Sequence, residues 1–240
     1  MKILYLMAGR ASRFKEVGYK VPKPLIEVRG KPMVEWATDS LGFLKNADLL
    51  FLCLAEHEKN FQISSILKKM YGKRAEVIII DRITQGAAET ALLAKNLINT
   101  DEELIISNAD QYFTCKAFEQ ELAKKEKNYT GLIPVFEATH PRWSFAKVNE
   151  AGFVTEVAEK VPISNNATVG VYYFKHGKDF VWAAEQMIEK DIRRNNEFYI
   201  CPIFNELIGR GDKIKAVTAN TMWSMGTPED VTYFERYFKG

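Results

Sequence analysis

The sequence predicts an α/β protein built on one mixed, mostly parallel sheet flanked by helices. Three observations carry that expectation. Through the first half, apolar runs of strand length alternate with helix-period segments, the pattern of parallel strands joined by crossover helices. The second half carries a hairpin signal, which brings in antiparallel pairing. The 240 residues are 47% hydrophobic and 12% aromatic at a net charge of +2, enough core material for a single domain over 1–240 and too balanced a charge for disorder.

Taken in order, Ile3-Leu4-Tyr5-Leu6 reads as a short apolar strand that runs into the turn 7–14. Gly30-Lys31-Pro32-Met33 then opens a helical stretch, with apolar residues at helix spacing over 34–41. Residues 49–54 form a continuous apolar strand, 61–70 a helix, and 75–80 a strand rich in β-branched residues. A small-residue turn at 84–90 feeds a helix over 91–98. Residues 103–113 read as an apolar strand that ends on a carboxylate, Asp110. Further on, 129–136 is a strand, His140-Pro141-Arg142-Trp143 a turn, and 144–148 with 153–157 a hairpin around 149–152. A strand at 167–174, an amphipathic helix over 180–190 and an aromatic-rich helix over 231–238 complete the chain.

The first thirty-odd residues hold the densest chemistry. A strand ending in Ala8 and Gly9 lets backbone N–H groups approach an anion, because no Cβ blocks the way at the glycine. Arg10, Arg13, Lys20, Lys23 and Lys31 add fixed positive charge, as a triphosphate requires. Pro22 and Pro24 hold Lys23 in an extended segment. Two other phosphate fingerprints are absent: no G-x-x-x-x-G-K-[ST] run occurs, and Ala11 stands where G-x-G-x-x-G needs its second glycine.

Other function classes are disfavoured on similar grounds. The charge balance gives no reason to expect nucleic acid as a partner. Cys53, Cys115 and Cys201 form no CxxC and read as structural thiols of a reducing cytoplasm. Neither a signal peptide nor a membrane span is expected. His57, His140 and His176 have no Ser or Cys partner motif and read as surface or turn histidines.

The blocks Met7-Ala8-Gly9-Arg10-Ala11-Ser12-Arg13-Phe14 and Pro22-Lys23-Pro24-Leu25-Ile26-Glu27-Val28-Arg29-Gly30-Lys31-Pro32-Met33 resemble the signature of the sugar-phosphate nucleotidyltransferases, in their short single-domain form. These pyrophosphorylases make nucleotide-activated sugars and related alcohols. The resemblance implies their glycosyltransferase A-type, Rossmann-like fold, with a nucleotide-binding part over about 1–115 and an acceptor-binding part over about 116–240. It implies the reaction as well: a nucleoside triphosphate plus a phosphorylated small molecule, a sugar 1-phosphate or an alcohol or amide phosphate, gives the nucleotide-activated product and pyrophosphate.

The same resemblance assigns residues. Met7, Ala8, Gly9, Arg10, Ala11, Ser12, Arg13 and Lys23 would bind the nucleotide, with Arg13 on the β- and γ-phosphates and Lys23 on the α-phosphate as catalytic groups. Gln85, Gly86 and Ala87 would lie against the base, beside Asn108 and Asp110. Asp110 matches the family's [GN]-D-[NQ] and would hold Mg²⁺. Glu159 and Lys160 match an E-K-P, with Val161 inserted, and together with Gly170 and Glu197 would bind the acceptor. Met222-Trp223-Ser224-Met225-Gly226-Thr227-Pro228-Glu229-Asp230 matches W-x-D-x-G-T-P-x-[DE], except that Ser224 replaces the second metal carboxylate.

The base and the acceptor are not named by these motifs. The short form is similar to cytidylyltransferases that activate capsule or lipopolysaccharide building blocks, which favours CTP over dTTP, UTP or GTP. A glycosyltransferase is the rival enzyme class, but only Asn108-Ala109-Asp110 stands where a D-x-D would be. A non-catalytic nucleotide-binding protein is the other rival, kept open by Ser224. The aromatic C-terminal helix is compatible with a homodimer.

Overall fold

The computed structural model describes residues 1–239. From the N-terminus the elements are β1 (Lys2–Leu6), α1 (Ser12–Glu16), β2 (Glu27–Val28), β3 (Lys31–Pro32), α2 (Met33–Asp39), β4 (Asp48–Leu54), α3 (Ala55–Phe61), α4 (Ile63–Tyr71), β5 (Ala75–Ile80), α5 (Ala87–Leu92), α6 (Lys95–Ile98) and β6 (Leu104–Asn108). There follow β7 (Gln111–Thr114), α7 (Lys116–Leu122), β8 (Gly131–Glu137), β9 (Ser144–Val148), β10 (Phe153–Glu159), β11 (Asn166–Thr168), β12 (Val171–Phe174), α8 (Gly177–Glu189), α9 (Ile203–Gly209), β13 (Ile214–Thr218), β14 (Thr221–Ser224) and α10 (Pro228–Tyr237).

Ten strands make one sheet in the order β11-β9-β10-β13-β8-β12-β6-β1-β4-β5. The sheet is mixed, and "mostly parallel" is corrected: β1 with β4 and β6, β4 with β5, and β8 with β13 pair in parallel, while six pairings are antiparallel. The physical reason lies in the connections. The first half joins its strands through helices, which returns each strand in the same direction, whereas β9 and β10 are joined by the short turn 149–152 and must reverse.

β1 explains why its residues read as one apolar run. Ile3 and Tyr5 lie in one buried cluster and Leu4 in another, so successive side chains enter cores on opposite faces of the sheet. A third cluster, built on Phe14, Ile26, Met33, Trp36, Met225 and Phe234, joins the N-terminal block to α10. Arg29 reinforces that junction by donating to the carbonyls of Glu235 and Phe238 at 3.0 and 2.8 Å.

Several local expectations change. The helix expected over 61–70 is α4, and a further helix, α3, which the sequence did not suggest, precedes it across a break at Gln62 in the left-handed region (φ 51°). The strand expected over 103–113 divides into β6 and β7, with Asp110 in the turn between them, and the strand at 167–174 divides at Gly170. His57 is no surface residue: it is buried, and burial lowers its pKa. The three cysteines are buried free thiols, as expected.

Candidate active site

The parallel register brings the N-terminal loop and Asp110 together. Leu6 at the end of β1 stands opposite Asn108 at the end of β6, so the turns leaving both strands emerge side by side. In an open α/β sheet this is where a ligand crevice forms. A cleft of about 540 Å³ opens there, lined by Ala8, Gly9, Arg10, Ala11, Ser12 and Arg13 from the first turn and by Lys23, Gly86, Ala87 and Glu197 from elsewhere. Its ionic groups are four cations (Arg10, Arg13, Lys23 and Lys160) against one carboxylate, Glu197. A Cβ at Gly9 would meet no atom within 4 Å, so the chain's own packing does not demand glycine there, and the space above that backbone is open to a ligand.

Ala11 adopts φ 51° and ψ 36°, the left-handed region, where L-residues are strained. That gives a physical reason for the glycine the resembling family carries at this place. Lys20 is exposed. Lys31 lies away from the cleft, paired with Asp39 at 2.8 Å, and does not add to its charge as the sequence suggested. Met7 is buried and borders a smaller cavity that Lys23 and Asp110 also line.

Lys23 is the pivot of the site. The 3₁₀ turn Lys23–Leu25 and its flanking prolines fix its backbone, and its Nζ donates to Asp110 Oδ2 at 2.5 Å and to the Gly226 carbonyl at 2.9 Å. The antiparallel pair β7–β14 places Ser224 opposite Gln111 and lets the Met225 N–H donate to the Asp110 carbonyl at 2.8 Å. The hydroxyl at position 224 donates to Asp230 Oδ2 at 2.9 Å and accepts the Gly226 N–H at 3.1 Å. Asp230 also closes the capping box of α10 with Thr227 and takes Arg142 on its other oxygen at 2.9 Å.

Among the described residues no cluster of three or more His, Cys, Asp or Glu side chains is arranged to hold a metal. What is present is one carboxylate, Asp110, with a cation already on it and further oxygens near: a Cβ built on Gly226 would stand 3.2 Å from Ser224 Oγ, 3.4 Å from Asp230 Oδ2 and 3.9 Å from Asp110 Oδ2. Hard oxygen donors with a single first-contact carboxylate suit Mg²⁺, which keeps most of its waters and completes its shell with phosphate oxygens.

A second cavity of about 290 Å³ meets the first at Ala87, Asn108, Lys160, Tyr199 and Gly226. It is lined by Glu159, Lys160 and Gly170, three of the four residues the resemblance assigned to the acceptor, together with Arg142, Trp143, Ser144 and Tyr172, which the sequence did not single out; the fourth, Glu197, lines the first cleft instead. Glu159 closes β10 and is buried; its carboxylate accepts from the Ser144 hydroxyl, and burial raises its pKa although Ser144 and Lys160 pull it down. Lys160 has φ 55°, a strained conformation that turns its ammonium onto the Tyr199 hydroxyl. The Tyr199 pKa is raised, by burial first and then by its contact with Glu197. Its position, two residues from Glu197, was the available signal. Arg142 gave none beyond a polar turn, and Ser144 none beyond the start of a hairpin strand.

Two glycines hold the halves together. Gly170 (φ +80°) lies so near Asn108 that a Cβ would approach its Nδ2 to 2.5 Å, and its carbonyl accepts the Asn108 N–H at 3.0 Å. Gly86 (φ 135°) lies against Phe198, where the Gln85 carbonyl accepts the Phe198 N–H at 2.8 Å and the Ala88 N–H donates back to Phe198 at 2.9 Å. The Gln85 side chain turns outward to Arg193 at 2.6 Å and does not line the cleft.

Similarity to known proteins agrees with this geometry. Residues 2–236 match the family described as Nucleotidyl transferase. The chain is 25% identical over 237 residues to the low-salt glycan biosynthesis nucleotidyltransferase Agl11 of Haloferax volcanii, covering 96% of this chain and 64% of that one. It is 26% identical over 242 residues to the bifunctional protein GlmU of Methanocaldococcus jannaschii, covering 99% and 54%. The chain thus spans between about half and two thirds of the length of these two relatives. Over 241 residues it is 25% identical to the UTP–glucose-1-phosphate uridylyltransferase AglF of Haloferax volcanii, covering 96% and 93%. Among solved structures, the nucleoside-diphosphate-sugar pyrophosphorylase of Vibrio cholerae RC9 superposes with a TM-score of 0.82 at 26% identity, over 98% of this chain and 99% of that one. The inositol-1-phosphate CTP transferase of T. maritima shares the fold at a TM-score of 0.76 and 14% identity, over 95% and 90%. With a family match over nearly its whole length, this chain belongs to the nucleotidyl transferase family.

Proposed function

We propose that the protein transfers a nucleotidyl group from a nucleoside triphosphate to a phosphorylated small molecule, releasing pyrophosphate. The observation that carries this reading is the strongly cationic cleft at the carboxyl ends of β1 and β6, continuous with a separate polar cavity through Lys160. Residues 1–115 supply most of the nucleotide cleft and 116–240 most of the acceptor cavity.

In the reaction an acceptor phosphate oxygen attacks the α-phosphorus in line. A P–O bond forms there as the bond to the bridging α,β-oxygen breaks, and pyrophosphate leaves with that electron pair. No side-chain nucleophile is needed; the work is alignment and charge neutralisation. Arg10, Ser12 and Arg13, with the Gly9 backbone, hold the β- and γ-phosphates, and Lys23 moves its ammonium onto the α-phosphate. Gly86 and Ala87 offer a close backbone approach to the base. Lys160, at the junction of both cavities, holds the acceptor phosphate, while Glu159 accepts hydrogen bonds from the acceptor's donors and Gly170 and Glu197 shape its surroundings. Asp110 would hold Mg²⁺, which when bound neutralises phosphate charge.

The resemblance of the short form to cytidylyltransferases makes CTP the nucleotide of first choice, with dTTP, UTP and GTP next, and capsule or lipopolysaccharide building blocks the class of product. We place this chemistry in the cytoplasm; among the described residues no helix is long and apolar enough to cross a membrane. Of the aromatic side chains of α10, Phe234 is buried against Trp36 and Trp223, so a homodimer through this helix would rest on the exposed Tyr233 and Tyr237.

The test is pyrophosphate release with Mg²⁺ and each nucleotide in turn against sugar 1-phosphates, phosphocholine, glycerol phosphate and amide phosphates. Release with one pair identifies base and acceptor together. Silence across the panel from a protein that binds no nucleotide would overturn the reading.

A further inference from the structure

The contact between Lys23 and Asp110 carries a consequence for how the site is loaded. The Nζ stands 2.5 Å from Asp110 Oδ2 and 2.9 Å from the Gly226 carbonyl oxygen, two hard oxygen donors at cation-binding distance. The ammonium lies over the Phe14 ring, 5.0 Å from its centroid, and both partners are largely shielded, at 18% and 30% side-chain exposure. The other carboxylate nearby is neutralised too: Asp230 takes Arg142 on one oxygen and the Ser224 hydroxyl and Thr227 N–H on the other. With a hydroxyl rather than a carboxylate at 224, both local negative charges are matched by positive ones before any ligand arrives.

We infer that Lys23 and a divalent cation compete for Asp110: in the nucleotide-free protein the ammonium occupies the cation position, and it yields only when an incoming triphosphate draws it away. The inference rests on reading this cleft as a metal and nucleotide site. A bare dication meets a pocket whose carboxylates are already paired and must displace the ammonium from Asp110. A triphosphate changes both terms at once, since it brings several negative charges and gives Lys23 a phosphate partner. Metal and nucleotide therefore enter together, and the lysine reaches the α-phosphate in the same exchange that frees Asp110.

The experiment is Mn²⁺ binding to the full chain, read by electron paramagnetic resonance of the free ion, without nucleotide and then with CTP, UTP, GTP and dTTP in turn. Lys23→Ala should bind Mn²⁺ alone at least about tenfold more tightly than wild type, a change that one removed like charge at this range supplies. Lys23→Ala/Asp110→Asn should lose that gain. Arg13→Ala removes a cation from the same cleft but not from Asp110 and should leave Mn²⁺ binding in the absence of nucleotide unchanged. Lys23→Met serves if the alanine variant melts early. No gain on removing Lys23, an equal gain on removing Arg13, or a gain that survives Asp110→Asn overturns the exchange while leaving the functional reading intact, provided wild type binds Mn²⁺ with a nucleotide. Failure of wild type to bind Mn²⁺ with any of them overturns both.

Discussion

Gly86→Ala tests whether the small-residue turn is held to the acceptor side by backbone contact. Gly86 has φ 135° and ψ 175°, a region open essentially only to glycine, and a Cβ there would lie 2.4 Å from both the N and the O of Phe198. Those atoms are backbone in a buried residue and make the two hydrogen bonds that dock the turn, so neither partner can step aside cheaply. Backbone strain of about 1–3 kcal/mol and the loss of two hydrogen bonds at about 1 kcal/mol each give a destabilisation of roughly 3–5 kcal/mol. For a chain of this size that corresponds to a fall in Tm of about 10 °C. Urea unfolding of the variant and wild type, with Tm measured alongside, provides the assay. Nucleotide affinity should fall as well, because Glu197 and Tyr199 flank Phe198 and line the cleft. An unfolding free energy within about 1 kcal/mol of wild type would refute the docking argument, since no relaxation of a flexible side chain can relieve a clash with backbone.

The remaining predictions concern the ionic and strained positions. Lys23→Ala should lower turnover about a hundredfold while changing nucleotide affinity much less, as expected for a group that acts on transition-state charge; an unchanged rate at saturating nucleotide would remove it from catalysis. Burial raises the Glu159 pKa, so its contribution to stability is full below the unfolded-state value and is lost as pH rises through the folded one. Glu159→Gln should accordingly gain stability over wild type as pH increases from acid to neutral, and should bind the acceptor more weakly; a stability difference independent of pH would count against it. Ala11→Gly removes left-handed strain of about 1–2 kcal/mol, partly offset by a more flexible unfolded chain, so a modest rise in Tm is expected and a fall would contradict the strain. Ser224→Asp exchanges a donor to Asp230 for a facing carboxylate. Thermal melts should show a loss of about 1–3 kcal/mol without ligand, regained with Mg²⁺ and nucleotide.

Much of the nucleotide cleft could be read from the chain because it is local. The turn after β1, the proline-flanked Lys23 and the small-residue turn at 84–90 lie in short segments whose backbone preferences are set by their own residues. Sequence also placed Glu159, Lys160 and Gly170 in one group, and the structure puts them around one cavity. It misjudged Gln85, whose side chain is drawn out to Arg193, a residue 108 positions away, and Lys31, which neighbouring carboxylates hold elsewhere.

The sequence by itself determined the family, the α/β class and the cationic turn after β1, because alternating apolar runs, glycine and proline act over a few residues. Tertiary structure decided the rest. The pairing of β7 with β14 that sets Ser224 beside Asp110 and the reach of Arg142 to Asp230 both join residues far apart along the chain. The left-handed strain at Ala11 and Lys160 belongs with them, since neither residue type announces it. Such contacts are fixed by sheet register and by packing between the three cores, and local residue preferences do not encode either one.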